Sequence, residues 1–242
     1  MIIAESIGFA ATHSITEILS ALPGFDVAHG SQNFDTKAPV GQGSQTPEDF
    51  VAAMTAARDA GRRAIAVHTL LPPHLMKPAC EAAGVEYWLL VREPDAQIES
   101  CYAWIAKSVL QGNPGHFAQV LQVVFNELVK LQVPTSLSNC LYAFAMQHVL
   151  SYNFVALGLG APFRKMEDLM SDEAAFRAAF DVPADLPLPH FAGDRVHSAS
   201  HRSRAGLDAL AAPDREAIRE RFRINIAGRD YSLGDMKLML RY

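Results

Sequence analysis

The chain has 242 residues, half of them apolar, enough to bury a large core; this fits one α/β domain over residues 1–242, with room for a helical elaboration. A formal charge of -5 gives no global attraction to nucleic acid or anionic lipid, so neither is expected as a partner and any anion site must be local. Cys80, Cys101 and Cys140 are widely spaced and lack Cys-x-x-Cys or paired-histidine spacing, which argues against a disulfide framework or zinc site and fits a reducing cytoplasm.

Met1-Ile-Ile-Ala is too short for the apolar core of a signal peptide and runs at once into Glu5, so no leader is expected. Met1 to Ser6 reads as a short buried strand and Gly8 to Ser14 as a small-residue loop. Ile15, Ile18, Leu19 and Leu22 then form the apolar stripe of a helix ended by Pro23-Gly24. Residues 29–47, rich in Gly, Ser, Gln and Pro without periodicity, predict an exposed loop able to lie over a substrate; Thr46-Pro-Glu-Asp opens a helix through Gly61. Ala64 to His68 is a second strand, Pro73 to Ala83 a helix containing His74, and Val85 to Val91 a third strand. This βαβαβ order predicts a parallel sheet flanked by helices with its ligands at the carboxyl edge, where Gly8, His68 and Arg92 fall.

Beyond Ile98 the pattern is mainly helical, broken at Gly112-Asn-Pro-Gly and Pro134. The apolar stretch from Cys140 to Phe163 carries Gln147, His148 and Asn153, so it reads as a buried helix rather than a membrane span. A short strand near Phe163 to Met166 followed by Glu167-Asp-Leu, a helix opened by Ser171-Asp-Glu and running through Phe180, a Pro- and His-rich loop from Val182 to Gly206, a helix from Pro213 to about Phe222 and a polar tail complete the reading.

Three segments carry chemistry. The loop before the first helix would aim backbone N-H groups and a positive dipole end at a phosphate or sulfate, although such loops also join strand to helix without binding anything. His68, at the ligand edge, titrates near neutrality and suits proton transfer; the structural alternative is a histidine hydrogen-bonded within a loop. Where the strand from Tyr87 stops at Arg92-Glu-Pro, a guanidinium, the Ser100 hydroxyl and a helix N-terminus can converge on one anion. Further on, Arg195, Arg202 and Arg204 with three histidines make a local cationic patch.

Taken in order, these segments resemble the sulfotransferases that use 3′-phosphoadenosine-5′-phosphosulfate (PAPS). That family's 3′-phosphate segment runs apolar strand, Arg-x-Pro-x-Asp, then Ser eight residues after the Arg. Here Arg92, Pro94 and Ser100 match, with the acidic residue one place early at Asp95. The family's 5′-phosphosulfate loop, a basic residue followed by Ser, Gly, Thr and Thr, aligns with Phe9, Ala10, Ala11, Thr12 and His13. The resemblance implies cofactor contacts from Ala11, Thr12, His13 and Ser14. His68 matches the family's general base, and Arg204 and Gly206 match a late Arg-Lys-Gly element with Ala205 in place of the Lys. Met166-Glu-Asp-Leu is similar to a Tyr-Glu-Asp-Leu strand end, to which no catalytic part is given.

The resemblance implies a P-loop-like sulfotransferase architecture and metal-free, in-line transfer of sulfuryl from PAPS to a hydroxyl or amine of a small-molecule or glycan acceptor. Phe9 stands where the family has a cation, whose loss removes a few kcal/mol of transition-state stabilisation, about a hundredfold in rate. His13, Lys37 and Lys107 are the candidates to replace it. A non-catalytic relative that binds a nucleotide or a partner protein is the alternative. A P-loop kinase is disfavoured because Gly-x-x-x-x-Gly-Lys-Ser/Thr is absent, and the family's C-terminal dimerisation signature has no match.

Overall fold

The computed structural model describes residues 1–30, 32–38, 45–188, 191 and 211–242, the side chains at 121–123 and 125–126 excepted. The chain divides into two compact units, Met1–Arg92 with Val155–Val196, and Glu93–Phe154 with His197–Tyr242.

The first unit is an α/β sandwich around a five-stranded sheet, entirely parallel, ordered β2-β3-β1-β4-β5. Its strands are β1 (Ile2–Glu5), β2 (Phe25–His29), β3 (Arg63–Val67), β4 (Glu86–Val91) and β5 (Phe163–Lys165). Near-continuous apolar runs in β1, β3 and β4 mark strands covered on both faces, the usual condition of a parallel sheet. On one face Ile2, Phe25, Val27, Ile65, Val67, Trp88 and Leu90 form a core with Ile15, Ile18 and Leu19 of α1 (Thr12–Ser20). Leu169 of α7 (Met166–Ser171) and Phe176 and Phe180 of α8 (Glu173–Phe180) complete it. The alternate strand residues Ile3, Ala64, Ala66 and Leu89 are buried on the other face, which α2 (Pro47–Asp59) and α3 (Pro73–Ala83) cover.

Strand β2 departs from the sequence reading, which had no strand between the first helix and Ala64. Its five residues are too few to show a period, and Asp26 interrupts them; pairing with β3 from Phe25↔Arg63 to His29↔Val67 supplies the order that the local pattern lacks. The consequence is functional, because His29 becomes the carboxyl end of a strand rather than the start of a loop.

The second unit is mainly helical, with α4 (Pro94–Leu110), α5 (Pro114–Lys130), most of α6 (Leu137–Gly158), α9 (Ala212–Arg221) and α10 (Leu233–Leu240). Where a polar tail was expected, β6 (Ile224–Ile226) and β7 (Arg229–Tyr231) form an antiparallel hairpin and α10 follows. Two features account for this: Ala227 and Gly228 both take positive φ at the turn, and Ser232 and Asp235 form a reciprocal capping box. Ion pairs tie the C-terminal helices to the start of α4: Arg215 to Glu99 at 2.6 Å, Arg219 to Asp95 at 2.5 Å, and Lys237 to both Asp95 and Glu93. Among the described residues α6 is the one helix long and apolar enough to cross a membrane, and 67% of its most apolar window is buried inside the fold. A buried Asn153 on it donates to Gln97 of α4 at 3.1 Å.

Candidate active site at the carboxyl edge of the sheet

Strand β1 is central, with β3 on one side and β4 on the other. The chain leaves β1 toward β2 and resumes beyond β4 at β5, so the crevice between β1 and β4 is a topological switch point, the place where open α/β sheets hold ligands. The segments leaving β1, β3 and β4 there carry the predicted residues.

The segment after β1 is held in an uncommon conformation: Gly8, Phe9 and Ala11 have φ of 92°, 61° and 55°. Facing it after β3, His68 and Leu70 have φ of 61° and 60°. Four non-glycine residues in the left-handed region, three of them bulky, cost on the order of 1 kcal/mol each or more, and such strain persists where surrounding contacts over-determine it. Those contacts are visible. The fully buried Glu5 accepts from Ser6 N and Thr69 N, each at 3.0 Å, and from the Thr69 hydroxyl, so one carboxylate fastens both loops. Arg92 Nη1 donates to the Phe9 carbonyl at 2.9 Å, linking the end of β4 to the same loop. His68 Nδ1 lies 2.5 Å from the Ser6 carbonyl.

Because a carbonyl only accepts, Nδ1 of His68 carries the hydrogen and Nε2 is the basic nitrogen of the neutral ring. That nitrogen faces Gly8, where an added Cβ would stand 3.5 Å from it. Gly30 is required for a different reason, since a Cβ there would fall 1.6 Å from the His68 carbonyl oxygen.

Helix α1 begins at Thr12 with Ala11 as its N-cap, no side-chain cap and no acidic residue in its first turn. Its free-ended dipole and N-H groups therefore point positive charge at the loop. Two residues that the sequence reading passed over complete the edge. Glu5 stood out only as a carboxylate ending an apolar strand. His29 had no signal once β2 was missed; its Nε2 lies 3.1 Å from the Thr12 hydroxyl, its ring stacks on His13 at 4.0 Å between centroids, and its edge meets His68 at 5.6 Å.

Of the predicted site residues, the expected base His68 and the expected cofactor contacts Ala11, Thr12, His13, Ser14 and Arg92 all lie on this edge of the first unit. Ser100 is in the second turn of α4, in the other unit. Arg204 and Gly206 lie outside the described residues. Of the candidate replacements for a cation at position 9, Lys37 pairs with Asp26 at 2.8 Å and sits over the Phe34 ring, while Lys107 belongs to α4. Arg92, hydrogen-bonded to Phe9 itself, brings a permanent charge to that position, which the sequence reading had not foreseen. No group of three or more His, Cys, Asp or Glu side chains among the described residues is arranged to hold a metal ion.

No protein-family model and no curated protein matches the chain. Among solved structures it is similar to mouse sulfotransferase SULT7A1 complexed with PAP, with 18% identity over 87% of this chain and 67% of that one and a TM-score of 0.39. A likeness of that depth carries no argument about activity. The functional reading rests on the chain's own geometry.

Proposed function

We propose that the chain is a sulfotransferase-like enzyme that moves sulfuryl from PAPS to a hydroxyl or amine of a small-molecule or glycan acceptor, without a metal. The observation that carries this reading is the meeting of three segments at one sheet edge: a strained loop leading into an uncapped helix, a histidine with a defined basic nitrogen, and an arginine bonded to the loop.

The residues suit such a cofactor. The glycine at position 8 leaves room against His68, and the start of α1 offers backbone N-H groups to a sulfated phosphate without a competing carboxylate. Ala11, Thr12, His13 and Ser14 would hold the 5′ side, and Arg92 the 3′-phosphate. PAPS, when bound, supplies an activated sulfuryl group and a phosphate leaving group. His68 Nε2 takes the acceptor proton as the acceptor atom bonds to sulfur and the bond from sulfur to the phosphate oxygen breaks. The Ser6 carbonyl holds the ring in the tautomer this step needs and stabilises the imidazolium that results. The α1 terminus offsets charge on the departing 5′-phosphate.

Calorimetry with 3′,5′-adenosine bisphosphate (PAP), the product nucleotide, against 5′-AMP tests the reading. Preference for the bisphosphate is expected, because only it carries the 3′-phosphate. Equal affinities would remove the assignment. Phe9, in the place of the family's cation, favours a second reading, a non-catalytic nucleotide-binding relative, which predicts the same preference with no turnover.

A further inference from the structure

His13 and His29 stack with ring centroids 4.0 Å apart and an interplanar angle of 27°, beside the first turn of α1. His29 also meets the Thr12 hydroxyl at 3.1 Å. No lysine or arginine occurs from Met1 to Asn33, so nearby permanent positive charge must come from elsewhere in the fold. We propose that this stacked pair is a proton-linked subsite for a sulfate or phosphate-ester oxyanion, whose counter-charge is imidazolium in place of a lysine or arginine of the loop. The inference deepens the reading above and rests on it only for the identity of the natural ligand.

The physical basis is mutual repulsion. Two imidazolium rings at this separation repel strongly, so without an anion one proton on the pair suppresses the second. An oxyanion beside both rings reverses that balance, and its binding draws protons onto the pair. The sign follows: affinity is greatest at acid pH, where the rings are charged, and falls as pH rises through the value at which the occupied pair loses its proton.

The neighbouring charges, among the described residues, come from each strand of the edge. His68, after β3, meets His29 edge-on and donates from Nδ1 to the Ser6 carbonyl. Glu5, ending β1, accepts from Ser6 and Thr69 and is fully buried. Arg92, after β4, donates to the Phe9 carbonyl. Asp26, earlier on β2, pairs with Lys37 at 2.8 Å. His13 itself is exposed, so it can take up a proton without prior opening of the fold.

The test is calorimetric titration of the whole chain with sodium sulfate, whose own charge does not change near neutrality, at about pH 6 and about pH 8 and constant ionic strength. Two buffers of different ionisation enthalpy report proton uptake. Affinity about tenfold higher at the lower pH, with proton uptake, is expected for the wild type. His13→Gln and His29→Gln should each flatten the dependence to less than about twofold, while His74→Gln, on the exposed surface of α3, should leave it intact. Glutamine at position 29 retains a partner for Thr12; if that variant nevertheless misfolds, the exposed His13→Gln decides. Absence of sulfate binding, binding independent of pH, or a slope that survives in both variants overturns the proposal, the last by assigning the proton to His68. Bisphosphate preference with a flat sulfate profile leaves the sulfotransferase reading standing and removes this one. A steep sulfate profile without bisphosphate preference does the reverse.

Discussion

Helices α1 and α4 each begin shortly after a strand of the same parallel sheet, β1 and β4, yet their first turns are built oppositely. The α1 turn has no side-chain cap and no acidic residue. In α4 the Glu93 side chain accepts from Ala96 N at 2.7 Å, Asp95 follows in the first turn, and Lys237 and Arg219 pair with these carboxylates. A helix N-terminus attracts an anion only while its charge is not already answered, and α4 answers its own with glutamate and aspartate. The comparison makes α1 the better supported seat for a bound oxyanion and gives the start of α4 a structural part, holding the C-terminal helices of its unit.

The largest expected effect concerns His68, the proposed base beside the α1 loop. His68→Ala should lower turnover by about 10² to 10⁴ and keep affinity for the bisphosphate within a few-fold, since the lost contribution is proton transfer. Single-turnover kinetics beside calorimetry measures both, and wild-type turnover on the true acceptor would return His68 to a structural part. Under the proposed function Phe9→Lys adds the cation that sulfotransferases carry in the corresponding loop, and a rise in turnover of up to about a hundredfold is expected. The backbone there already has positive φ, so lysine meets no more backbone strain than phenylalanine does. A folded variant with unchanged turnover and nucleotide affinity would mean that position 9 does not face the reacting group.

Arg92→Ala should weaken the bisphosphate about tenfold or more, from the loss of a charge-assisted contact worth roughly 1.5 to 3 kcal/mol. Calorimetry against 5′-AMP locates the lost contact. A drop confined to the bisphosphate fits the 3′-phosphate, whereas an equal drop for both nucleotides identifies Arg92 as the support of the Phe9 loop. The smallest effect is at the other helix: Glu93→Ala removes the cap of α4 and should cost about 1 kcal/mol of stability, read by denaturant unfolding. Nucleotide affinity that rises strongly in this variant would reverse the contrast between the two N-termini.

Much of this was legible from local pattern. Continuous apolar runs at Met1 to Ser6, Ala64 to His68 and Val85 to Val91 mark the central strands, and Pro73 to Ala83 was readable as a helix at the bounds now seen. From such strands in βαβ order a parallel sheet follows, and with it the edge where His68 and Arg92 stand, because short parallel connections put successive carboxyl ends on one side. The C-terminal hairpin and α10 were missed although Gly228 and the Ser232 and Asp235 capping box were readable, because strands of three residues and a helix of eight are too short to show a period.

Other features were settled only when distant segments met. Whether β2 was a strand depended on a partner more than thirty residues away, and with it the place of His29 against Thr12, His13 and His68. The same holds for Glu5 fastening two loops and for Arg92 reaching the carbonyl of Phe9. Local sequence determines periodicity, caps and turn chemistry, which are short-range steric and hydrogen-bonding preferences. Which side chains share an edge, and which helix end keeps its charge for a ligand, depends on strand order and register, which only the packing of the whole sheet decides.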